Sequence, residues 1–209
     1  MRNLSSYVPG GRVSSGLLAW FRGQLVFAVS QEKYWIKRPG ETRIALVGIG
    51  GGQEAGETLL ETVAREAQEE ANAAIAVAGA AFTLWIDADE RVERRSLPDE
   101  PPGESAPLLI WQRRIRLRRD DGTPYERDYI NPVYEADFLQ QPSPGAEVPG
   151  LLFSDVADFL ALLAGPRSLS DLLRGSMGYL GRSLPADAVI ELQGSAYYLA
   201  KYWSRLGRR

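Results

Sequence analysis

The chain has 209 residues, 44% of them hydrophobic and 10% aromatic, with 24 basic residues against 27 acidic ones and a net charge of −3. That is enough apolar material for a core in one domain, or in one domain plus an extension, and the charge balance argues against a protein whose main work is coating nucleic acid or anionic membrane. With no cysteine and no histidine there is no disulfide framework, thiolate or His-ligated zinc, cysteine nucleophile or Ser-His-Asp triad, so acid–base work falls to carboxylates, lysine or tyrosine.

The N-terminal stretch MRNLSSYVPGGRVSSG has no long apolar run, and no segment reaches the ~20 apolar residues of a membrane span, so a soluble, cytoplasmic protein is expected. Gly16 to Ser30 holds two short apolar runs broken at Arg22-Gly23, the pattern of a hairpin, and Thr42 to Gly50 reads as a third strand. From Gly56 to Asn72 the spacing is helical, with Leu60, Val63, Ala64, Ala67 and Ala71 on a stripe that should face a sheet. Ala74 to Ala88 reads as a strand, followed by the charged, proline-bearing DERVERRSLPDEPPGESAP, whose length and composition suit a lid or a segment without order. LLIWQRRIRLRR and PYERDYINPVYEADF flank the turn DDGT as a long hairpin, and QQPSPGAEVPG is a second loop. The remainder reads as helical, with Ser154 as an N-cap and apolar residues recurring from Asp187 to Leu206.

The helical stretch is crowded with glutamates. At about 100° per residue, Glu66, Glu69 and Glu70 share one ridge beside the apolar stripe. Three carboxylates on one ridge form a hard-oxygen site suited to Mg²⁺ or Mn²⁺, ions that keep several waters and leave room for phosphate oxygens. Arg65 can pair with Glu61 or Glu69, four residues to either side, and the preceding VGIGGGQEAGE supplies backbone able to come close to an ion or phosphate. The competing reading of such a helix is a solvated acidic face.

The spacing from Gly51 to Glu57 to Arg65-Glu66-Ala67-Gln68-Glu69-Glu70-Ala71-Asn72-Ala73 resembles the Nudix box, the loop–helix–loop motif of hydrolases acting on nucleoside diphosphates linked to another moiety. Alanine stands at 67 and 73 where the pattern usually has a larger aliphatic residue. Asn72 replaces a glycine, a mild change because asparagine tolerates the left-handed conformation at a helix end. The resemblance implies an α/β fold, the Nudix-type α/β/α sandwich with a mixed sheet, over residues 1–164, and a C-terminal helical extension over 165–209. It further implies a metal-dependent pyrophosphohydrolase in which water attacks phosphorus, with Mg²⁺ or Mn²⁺ as cofactor and a nucleoside diphosphate derivative as substrate. Glu66, Glu69 and Glu70 with the backbone of Gly50 are then the metal site, and Glu69, Glu66, Arg65 and Glu57 the catalytic set, Glu57 and Arg65 forming an orienting ion pair.

Arg38, Arg43, Trp35, Arg114 and Arg116 are candidates for substrate phosphates or base, with Tyr34 and Lys37 beside them, and Glu126, Asp128 and Glu135 are candidates for a late carboxylate. Two other classes remain in view: a nucleotide sensor that keeps the fold without cleaving, and a nucleic-acid binder using Arg114, Arg116 and Arg118 on one strand face. The region DADERVER carries neither the proline associated with ADP-ribose nor the tyrosine associated with dinucleoside polyphosphates. The apolar stripe of the C-terminal segment must pack on the preceding domain or on a second copy, giving a homodimer.

Overall fold

A computed structural model describes residues 11–96, 105–119 and 121–207. Strands β1 (Arg12–Phe21) and β2 (Gln24–Val29) form the expected hairpin, and its turn places both Arg22 and Gly23 at positive φ, the primed geometry whose twist suits adjoining antiparallel strands. The expected strand at Thr42–Gly50 is divided at Gly48. Its parts are β4 (Glu41–Val47), preceded by the short β3 (Ile36–Arg38), and β5 (Gly50–Gly52), which crosses to pair with β1. Helix α1 (Leu59–Ala71) starts three residues later than its apolar spacing suggests, because Thr58 and Glu61 close a reciprocal capping box worth about 1 kcal/mol. It ends on Asn72 in the left-handed region.

After the helix the segment read as one strand is two, β6 (Ile75–Ala78) and β7 (Thr83–Ile86), interrupted around Gly79. The first part of the expected lid is instead β8 (Val92–Arg95), laid against β7, while its residues 97–104 lie outside the described residues. The long hairpin is present as β9 (Leu109–Arg118) and β10 (Pro124–Phe138). β11 (Gly150–Ser154) follows the proline-rich loop and pairs with β2, and Asp155 rather than Ser154 caps α2 (Val156–Ala161).

The C-terminal segment carries helices α3 (Leu169–Arg174) and α4 (Gly194–Lys201), together with strands β12 (Arg167–Ser168), β13 (Gly178–Gly181) and β14 (Ala188–Leu192). A single helix over Asp187–Leu206 is therefore corrected. Residues 188–192 lie parallel to Thr42–Leu46 of β4, whose open edge offers ladder partners that the local spacing of Val189 and Leu192 does not reveal.

The sheet runs β12-β14-β4-β2-β1-β10-β9-β7-β8, with β1/β10, β14/β4 and β7/β9 parallel and the other pairs of this path antiparallel. Alternation sends Leu17, Ile130 and Tyr134 to one face, where Leu59, Val63, Ala67 and Ala71 of α1 cover them. Leu18, Phe27 and Leu46 face the other way and meet Phe159 of α2 and Leu199 and Trp203 at the C-terminus. The result is a mixed sheet between two helical layers, the α/β/α sandwich expected. The C-terminal apolar stripe packs on this chain's own sheet, with Trp111 stacked on Tyr198 at 4.8 Å. Among the described residues no helix is long and apolar enough to cross a membrane.

Candidate active site

The loop before α1 is tied to the helix by Arg65. Its Nε donates to Glu57 Oε1 at 2.7 Å, one terminal nitrogen reaches Glu66 at 2.9 Å and Glu69 at 2.8 Å, and the other reaches the Gly52 carbonyl at 3.0 Å. A planar guanidinium can serve so many acceptors at once where an ammonium could not. Arg65 beside Glu57 holds that carboxyl at about 2, helped by the Glu54 amide and the Thr62 hydroxyl. Glu61, the other residue four positions from Arg65, uses its carboxylate to accept from the Thr58 amide at 2.7 Å instead.

Glu66 and Glu70 open onto a cleft of about 510 Å³ that crosses one end of the sheet from α1 to the N-terminus of α4. Glu66 is buried, and its carboxylate fills the place where a side chain on Gly51 would stand: a Cβ there would lie 2.1 Å from Glu66 Oε1. Burial raises Glu66 above the usual carboxylate range in spite of Arg65. Burial likewise pushes Glu70 up to about 8, against the Gly50 amide that donates to it at 3.0 Å and with Glu66, Glu147 and Glu69 repelling it.

Glu147 is one residue that reading the sequence missed. It lines the same cleft from the loop after β10, and its charge reaches both Glu66 and Glu70. That loop is clamped to the end of α1: Gly145 and Ser143 donate their amides to the carbonyls of Glu70 and Ala71 at 2.9 Å each, and Asn72 Nδ2 donates to the Pro144 carbonyl at 2.9 Å. A lone glutamate between Pro and Gly residues carries no periodic signal, so nothing local marks it.

The remaining candidates are placed as follows. Glu69 is held outside the cleft by Arg65. Trp35 donates to the Ser30 carbonyl, Arg43 pairs with Glu41 and more distantly with Glu191, and Arg38 ends β3 in solvent. Arg114 and Arg116 pair across the hairpin with Asp128 and Glu126, and Glu135 accepts from Trp20 Nε1. None of these lines the cleft, whereas Lys33 and Tyr34 do.

Among the described residues no group of three or more carboxylates is gathered closely enough to hold a metal ion as it stands. The donor chemistry nevertheless suits a hard dication. Glu66 and Glu70 are crowded, desolvated and repelled by Glu147, a condition that a divalent cation relieves and a solvated acidic face does not show.

No family model matches the sequence, and no curated protein matches it. Solved structures similar to the chain include a Nudix hydrolase from Nitrosomonas europaea, 15% identical with a TM-score of 0.39, over 69% of this chain and 57% of that one. Others are a Nudix-family hydrolase from Clostridium perfringens, 15% identical with a TM-score of 0.41, over 71% and 83%, and a MutT protein from Bacillus halodurans, 16% identical with a TM-score of 0.40, over 78% and 78%. The chain thus spans a little over half the length of the first of these.

Proposed function

We propose that the chain is a metal-dependent hydrolase of the Nudix type that cleaves a nucleoside diphosphate linked to another moiety, by attack of water on phosphorus. The observation that carries this reading is the arrangement around Arg65, which fixes Glu57, Glu66 and Glu69 while Glu66 and Glu70 face a cleft. Glu66 and Glu70 would hold Mg²⁺ or Mn²⁺, and Glu147, which lines the same cleft, would be the carboxylate outside the box that joins them. The ion, when bound, supplies neutralisation of the diphosphate charge and a more acidic water. Arg65 sets the position of the Glu66 carboxylate, and Glu57 keeps Arg65 in place through contacts at 2.7 and 3.2 Å. Gly51 lets the backbone approach Glu66, and the Gly50 amide orients Glu70.

Incubation with a panel of nucleoside diphosphate derivatives and Mg²⁺ or Mn²⁺, following release of phosphate, pyrophosphate and nucleoside monophosphate, tests the reading. Turnover that disappears in EDTA is expected, and full turnover in metal-free buffer overturns it. A second reading is a nucleotide sensor on the same fold, which binds in the same cleft without cleaving. In that case the panel gives no turnover, yet nucleotide and Mg²⁺ together raise the melting temperature.

A further inference from the structure

At the end of the cleft away from α1, two buried polar atoms meet no protein partner: the indole N–H of Trp111 and the side-chain oxygen of Asn131. The residues are 9% and 8% exposed, and both line the cleft. Buried indole N–H and amide oxygens nearly always find partners, so two unmatched groups at one place call for an explanation. They also sit side by side, because Trp111 of β9 and Asn131 of β10 are direct cross-strand neighbours. Cross-strand pairs of this kind stand about 5 Å apart at Cβ on a shared face.

Each group is held by its other side. The Trp111 ring stacks on Tyr198, and the Asn131 amide nitrogen donates to Ser14 Oγ at 2.7 Å, which leaves the oxygen as the unmatched end. Gly16 puts no side chain beside it: a Cβ there would lie 3.6 Å from the Asn131 oxygen and 3.5 Å from the Ser195 hydroxyl. Tyr34, 65% exposed, lines the same cleft and offers an uncovered aromatic face.

We propose that Trp111 and Asn131 read the nucleobase of the substrate, the indole N–H donating to a ring nitrogen or carbonyl and the Asn131 oxygen accepting from the neighbouring N–H. A base edge carries an acceptor beside a donor, which is the complement of this pair. A sugar hydroxyl offers the same two capacities on one atom and is the competing source of the chemistry. The proposal rests on the nucleotide reading above and does not require cleavage.

Calorimetric titration of the intact chain with AMP, GMP, CMP, UMP and ribose 5-phosphate, all in Mg²⁺, tests it. At least one nucleoside monophosphate is expected to bind about tenfold or more tightly than ribose 5-phosphate. Trp111→Phe keeps an aromatic ring against Tyr198 and removes the N–H together with the indole's five-membered ring, and it should erase most of that margin while leaving ribose 5-phosphate unchanged. Asn131→Leu should do the same, with circular dichroism confirming its fold. Equal binding of all five ligands overturns the proposal, as does a margin that survives Trp111→Phe. A parallel loss for ribose 5-phosphate assigns the pair to the sugar and overturns it too. If the margin behaves as expected while no substrate is ever cleaved, the hydrolase reading fails and the base site stands.

Discussion

The amide of Gly50 donates to the Glu70 carboxylate at 3.0 Å, joining the glycine-rich strand to the last turn of the helix that follows it. The bond favours the charged form of Glu70, while the surrounding protein favours the neutral one and prevails. Glu70→Gln keeps an acceptor for the Gly50 amide and removes the charge. The expected outcome is a melting temperature in EDTA equal to or above wild type, with turnover reduced at least ~10²-fold and weaker stabilisation by Mg²⁺. Wild-type turnover in this variant would show that the glutamates are surface charge.

Stability of the metal-free chain should depend on pH in a direction set by the same residue. Glu70 titrates near 8 when folded against 4.5 for the free group, and Glu66 is shifted the same way. Between those limits the folded chain binds more protons than the unfolded chain, so stability is full below about 4.5 and is lost as pH rises toward 8. Glu57, held at about 2, works in the opposite sense and withdraws stability as pH falls below 4.5. Melting temperatures in EDTA should therefore be highest at mildly acid pH, and Mg²⁺ should add most at high pH, where protons compete least. A flat profile from pH 5 to 8 in EDTA contradicts the crowding of Glu66 and Glu70.

Arg65→Lys retains the charge and loses the fork. Contacts to Glu57, Glu66, Glu69 and the Gly52 carbonyl cannot be made together by one ammonium. A destabilisation of about 1–3 kcal/mol in denaturant titration is expected, with a larger proportional loss in turnover, because the loop before α1 loses its tie. Retained turnover would remove Arg65 from the orienting role.

Gly51→Ala separates site from fold. The new methyl would overlap the Glu66 carboxylate, the far end of a flexible side chain that can swing aside. Stability should change by less than about 1 kcal/mol, whereas Mg²⁺ affinity and turnover should fall together. Unchanged Mg²⁺ affinity would show that Glu66 is not a ligand.

Removing residues after Ala164 takes β14 from beside β4 and strips Leu199 and Trp203 from the core around Phe27 and Phe159. Loss of a cooperative melting transition is expected, together with poor solubility. A shortened chain with wild-type solubility and melting would make the C-terminal segment an appendage.

What the sequence disclosed is what local chemistry encodes. Arg22-Gly23 announces its turn, Glu66, Glu69 and Glu70 share a ridge by helical spacing, and Glu57 and Arg65 are marked by the resemblance to the Nudix box. Glu69, read on the same ridge, accepts from Arg65 and does not line the cleft. What stayed hidden depends on distant partners. Ala188–Leu192 becomes a strand only because β4 has an open edge, and Trp111 with Asn131 forms a pair only through the register of the long hairpin. Arginines 114 and 116 looked free for phosphate until that register set Asp128 and Glu126 opposite them.

Gly145 lies so close to the end of α1 that a Cβ on it would overlap the Glu69 carbonyl. With the Gly145 and Ser143 amides bound to Glu70 and Ala71, the helix cannot fray without releasing the loop, nor the loop swing out without exposing the last helical turn. The two form one opening unit in the sense read by amide hydrogen exchange. Exchange at Ser143 and Gly145 then reports how often Glu147 leaves the cleft, and a substitution that loosens the far side of α1 can retune the opposite wall without touching it.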